Sequence, residues 1–150
     1  MKAVAHLPGG LARLAGGAAL VALLGAATPA LAQVVVVGAK SPVTSLSKEQ
    51  ASDIFLGKML SLPGGGAAEL IDQPESSALR DEFYSKVAGK SAAQAKQYWS
   101  KLAFTGKGTP PKEAGGSAEV KRMVAANPNA IGYIEKSAVD GSVKAVFSAQ

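Results

Sequence analysis

The sequence predicts a small α/β domain with a mixed sheet flanked by helices, and three observations predict it. Short apolar or β-branched runs lie at 34–37, 68–72, 130–134 and 143–147, and segments of helical periodicity separate them. The junctions carry Gly, Pro or a helix-capping Ser. Strands separated by helices imply a mostly parallel or mixed sheet covered on both faces.

The elements follow in order. Val34-Val35-Val36-Val37 ends at Gly38 and fits a strand buried on both sides. Ser47 and Gln50 form an S-x-x-Q capping box that opens a helix. Its apolar positions are Ala51, Ile54 and Phe55, and Gly57 ends it as a C′ glycine. Residues 58–66 form a loop, residues 68–72 a second strand, and Pro74 stops that strand. Ser76 or Ser77 caps the next helix, whose apolar face is Leu79, Phe83 and Val87, closed by Gly89. Ser91 caps a third helix striped by Ala95, Tyr98, Trp99 and Leu102. Residues 106–116, rich in Gly and Pro, read as an exposed mobile loop, after which Ser117 caps a fourth helix. Asn127-Pro128-Asn129 ends that helix, residues 130–134 form a third strand, and 143–147 alternate as the last.

The N-terminus reads as an export signal over residues 1–32, with a single domain in 33–150. Lys2 and Arg13 are the only charges in 1–32, residues 14–27 are small and apolar, and Ala30-Leu31-Ala32 offers an A-x-A cleavage site. The apolar run falls short of the roughly 20 residues that span a bilayer. The chain has no cysteine, so packing supplies its stability and a lipid-modified N-terminal cysteine is excluded. The expectation is a periplasmic, soluble product that is not a lipoprotein and has no membrane span after processing.

Composition narrows the chemistry. The only histidine, His6, lies in the leader, which removes Ser–His and Cys–His catalysis and most zinc sites from the remainder. No metal site, cofactor or nucleophile–base pair can be assembled, so the chain is expected not to be an enzyme. A net charge of +5 is spread along the chain without a polybasic block, so nucleic acid is not the expected partner.

Three segments in this order and spacing resemble a known family. They are Leu46-Ser47-Lys48-Glu49-Gln50-Ala51-Ser52-Asp53-Ile54-Phe55-Leu56-Gly57-Lys58, then Asp72-Gln73-Pro74-Glu75-Ser76-Ser77 leading into Phe83, and Asn127-Pro128-Asn129-Ala130-Ile131-Gly132-Tyr133. Together they resemble the phosphate-binding proteins of ABC transporters, within the type II periplasmic binding protein fold. The chain is long enough for one of that fold's two lobes and looks like the second. The resemblance implies a strand-end Arg and a Ser-Gly-Thr at the next helix start as anion ligands. In this sequence those positions fall on Asp72, Ser76, Ser77 and Ala78, so Ser76 alone matches, and Asp72 and Ala78 depart from the pattern. A carboxylate in place of the cation repels an oxyanion, increasingly so as the site is desolvated.

The residues around that helix start carry two readings. Ser76, Ser77 and Arg80, with the helix N–H groups and dipole, suit phosphate or another small oxyanion. Equally, a serine serves as a cap and Arg80 pairs with Asp72 or solvent. Tyr98 and Trp99 suit core packing better than an aromatic binding surface. Gly64-Gly65-Gly66 lacks the GK[ST] ending of a P-loop and reads as a turn. Lys107, Lys112, Lys121 and Arg122 suit either an acidic partner or solvent. Two functions follow: a non-catalytic oxyanion-binding module of ABC-type phosphate uptake, or an envelope protein-interaction or scaffold domain that has lost its ligand. One lobe cannot enclose a ligand, so tight binding needs a dimer, an ABC permease or another envelope protein to supply the other wall.

Overall fold

The computed structural model describes residues 32–149 together with Gly9. The export-signal reading of residues 1–32 therefore lies almost wholly outside the described residues. The elements are β1 (Gln33–Gly38), α1 (Lys48–Phe55), β2 (Glu69–Asp72), α2 (Ala78–Ala88), α3 (Ala92–Phe104), β3 (Lys112–Glu113), α4 (Ser117–Ala126), β4 (Ala130–Glu135), a 3-10 turn (Lys136–Ala138) and β5 (Val143–Ala149). They form a mixed α/β fold with strand order β3-β2-β4-β1-β5. β2 runs parallel to β3 and β4, whereas β1 runs antiparallel to β4 and β5.

Strand β1 is buried on both faces because it lies inside the sheet with helices above and below. Val35 and Val37 face the core shared with α1, α2 and α3, while Val34 and Val36 face α4. That placement explains an unbroken valine run where a half-exposed strand would alternate. On the α1–α2 side, Phe83 stacks on Tyr133 at 3.8 Å between ring centroids, and Phe55 meets Phe83 edge-on at 4.9 Å. These rings join α1, α2 and β4 through the geometry that aromatic quadrupoles favour.

Local chemistry explains the boundaries. Complete capping boxes, Ser47 with Gln50 and Ser91 with Gln94, start α1 and α3. Gly57 and Gly89 sit at φ +69° and +65°, the left-handed conformation in which a helix can terminate. Trp99 and Ala95 form the buried side of α3, as core packing requires.

Two expectations are corrected. The Gly/Pro segment is not wholly a loop, because Lys112–Glu113 pairs with Ile71 and Asp72 as an edge strand and Ala114 is buried. Both strand residues are exposed and charged, so no hydrophobic pattern announces the strand. Ser117 does not cap α4; Gly116 occupies the cap position at φ 152°, and the Ser117 hydroxyl accepts a hydrogen bond from Gln73 Nε2.

Gly132 in β4 is a close-approach position. A Cβ there would lie 2.6 Å from Val120 Cγ1 and 3.3 Å from Val124 Cγ2, on the face where α4 crosses the sheet. Gly132→Ala should therefore destabilise the domain by about 1–3 kcal/mol through overpacking. In urea denaturation, adding Val120→Ala should make the double variant less costly than the sum of the two single changes. Strict additivity would place the strain elsewhere.

Candidate functional site

The C-terminal end of β2 delivers Asp72 to the start of the α2 segment, where its side chain is 4% exposed. A buried ionised carboxylate needs donors on both oxygens, and four groups supply them. Oδ1 accepts from the Gln73 backbone N–H at 2.9 Å and from the Tyr133 hydroxyl. Oδ2 accepts from the Tyr84 hydroxyl at 2.9 Å and lies 3.3 Å from Arg80 Nε. That last contact joins charges without a well-directed hydrogen bond from Nε. Arg80, 8% exposed, also places its guanidinium carbon 5.7 Å from the Tyr84 ring centroid. Gln73 extends the network, donating from Nε2 to the Tyr133 carbonyl at 2.9 Å as well as to Ser117.

Of the two readings of Arg80, this arrangement contains the ion pair. Arg80 is paired with Asp72, inside the protein. The charge that the sequence places at the strand end is compensated by Arg80 in the first turn of α2. Burial, and then the adjacent Asp72 charge, pushes both the Tyr84 and the Tyr133 hydroxyls far above the ordinary phenol range, so both stay protonated and donate.

The other expected ligand positions lie at the surface. Ser76 is exposed within a turn, and Ser77 occupies the N-cap of α2 with extended backbone. Neither closes the helix: α2 begins without a side-chain cap hydrogen bond, unlike α1 and α3. Ala78 is the first residue of α2 and is exposed. Next to this start, Glu75 pairs with Lys96 of α3, whose hydrogen bond holds the Glu75 carboxyl below its usual value. A cleft of about 150 Å³ opens between the α2 start, α3 and β3, with Gln73, Arg80, Trp99 and Ser100 among its walls.

The remaining candidates disperse. Lys121 pairs with Asp140 at 2.8 Å and Arg122 lies 3.6 Å from Glu119. Lys107 and Lys112 edge a separate open groove of about 860 Å³ floored by Ile54, Leu70 and Leu102. Sequence reasoning missed Tyr84 and Tyr133 as the partners of Asp72. The available signal was Tyr84 at i+4 from Arg80, which puts a hydroxyl on the helix face that reaches the strand end.

The two tyrosines give the site a pH signature. Below about pH 10 both the folded and the unfolded chain keep the phenolic protons. Above it the unfolded chain releases them and the folded chain does not, so unfolding gains. Stability should be complete below about pH 10 and fall above it by about 1.4 kcal/mol per pH unit for each tyrosine. Tyr133→Phe should cost about 1.5–3 kcal/mol at neutral pH by removing a hydrogen bond to a charged group. In urea titrations from pH 8 to 11 (approximate range) it should also lose one tyrosine's share of the alkaline slope. An unchanged slope would mean that Tyr133 titrates normally.

Comparison with known proteins follows the same geometry. No family model and no curated protein matches the sequence. Among solved structures, the chain is similar to a putative phosphate ABC transporter substrate-binding protein with bound phosphate from Clostridium perfringens. The identity is 29% and the TM-score 0.62, over 76% of this chain and 43% of that one. It shares its fold with an ABC-type phosphate transport receptor from Vibrio cholerae, at 24% identity and TM-score 0.61 over 76% and 44% of the two chains. It shares it also with PstS from Borrelia burgdorferi, at 16% identity and TM-score 0.59 over 77% and 46%. The chain spans less than half the length of these proteins. In sequence motifs and in fold it resembles the phosphate ABC transporter substrate-binding proteins, as a single lobe of the periplasmic-binding-protein type.

Proposed function

We propose that this chain is a non-catalytic, phosphate-binding-protein-like module of the periplasm that presents one wall of an oxyanion site and works in ABC-type phosphate uptake. The observation that carries the reading is the start of α2. The motif resemblance makes it correspond to the family's anion-binding helix start, and it has no side-chain cap, with the exposed Ser76 and the N-cap Ser77 beside it. Free N–H groups and the helix dipole favour an anion there. The Asp72 charge that would oppose one is matched by Arg80 and two tyrosine hydroxyls, and Glu75 by Lys96. The opposing wall comes from outside these residues: a second copy, a permease or another envelope protein.

A second reading rests on the same network. Arg80, the nearest cation to the strand end, is committed to Asp72, which suits an envelope interaction or scaffold domain that no longer holds a ligand. Calorimetric titration of residues 33–150 with inorganic phosphate separates the two. The first reading expects saturable heat below millimolar phosphate, lost in Ser76→Ala while the thermal midpoint stays unchanged. An absence of heat at millimolar phosphate, with the protein folded, overturns it in favour of the second.

A further inference from the structure

We infer that the mature N-terminus is a modification site, at which Gln33 closes on itself to form pyroglutamate. The inference rests on the export reading, in which cleavage after Ala32 makes Gln33 the first residue. Gln33 opens β1, between Glu135 of β4 and Ala149 of β5, and it is 0% exposed. Neither its side-chain Oε1 nor its Nε2 finds a hydrogen-bond partner among the described residues. A buried primary amide without partners is unfavourable. Cleavage would add to this an α-ammonium group on the same residue, in the middle strand of a three-strand segment. A charge inside the sheet is costlier to desolvate than a neutral amide.

Cyclisation removes both. The free α-amine attacks Cδ of the Gln33 side chain, an N–Cδ bond forms, the Cδ–Nε2 bond breaks, and Nε2 departs with the amine's proton as ammonia. The step is neither oxidation nor reduction and needs no co-reactant. The product keeps a lactam N–H and C=O but carries no charge and no NH₂ group. It also draws the side chain back onto its own backbone, out of the space where its amide has no partner.

The test uses the full chain with its leader, expressed in a bacterial host and purified from the periplasm. Digestion with trypsin should yield residues 33–40 as the N-terminal peptide, lighter than the encoded sequence by one ammonia. Pyroglutamyl aminopeptidase should then be able to remove its first residue. A synthetic uncyclised peptide of residues 33–40, carried through the same digestion, fixes how much closure the handling itself produces. A periplasmic peptide that begins at Gln33 with a free amine, at the level of that control, overturns cyclisation and leaves export standing. A mature protein beginning elsewhere overturns the processing reading and the modification with it. The cyclised form should also melt at a higher temperature than a preparation trapped uncyclised, and equal midpoints would contradict the burial argument.

Discussion

The buried carboxylate of Asp72 is the constraint around which this lobe is organised. It stands at the end of β2, and its partners come from α2, from β4 and from its own turn. Each oxygen has two donors or charges within reach, so the anion is accommodated inside the protein without solvent. The aromatic stack of Phe83 on Tyr133 lies beside it and holds the Tyr133 hydroxyl in position. A charge that is buried and fully partnered contributes little net stability compared with an apolar replacement. Its larger effect is on geometry, because it sets how α2 sits against the sheet and where the α2 start faces.

That geometry bears directly on what the lobe can hold. The resemblance implies a cation at this strand end; the chain has Asp72 there, and Arg80 from the first turn of α2 is turned onto it. The pair is close to neutral from outside, so the α2 start neither attracts an anion through a bare arginine nor repels it through a bare carboxylate. In the proposed function, an anion would meet N–H groups, the helix dipole and serine hydroxyls on an exposed wall, with a second wall supplied from elsewhere.

Much of the fold was legible because its signals are local. The valine run, the Ser47–Gln50 box, and Gly57 and Gly89 each act within a few residues, and each appears where the spacing puts it. β3 was not legible, because its two residues are charged and exposed and carry no hydrophobic pattern. The use of the Ser117 hydroxyl by Gln73 was hidden for a related reason: a serine before a helix reads as a cap, and a partner 44 residues away competes unseen. At the site, the sequence offered the Arg80–Asp72 pair as one of two alternatives. The tyrosines escaped because both also serve the apolar core, and only the folded chain shows their hydroxyls converging on one acid.

The central claim is that Asp72 and Arg80 act as a unit within the fold. A double-mutant cycle of Asp72→Ala, Arg80→Ala and the combined variant, measured by urea denaturation at neutral pH, tests it most directly. Each single change leaves one buried charge without its partner and should cost several times more than a surface substitution. The account predicts that the double variant loses less than the sum of the single losses by about 1–3 kcal/mol. Losses that simply add would contradict it, and would leave Arg80 free to meet an anion.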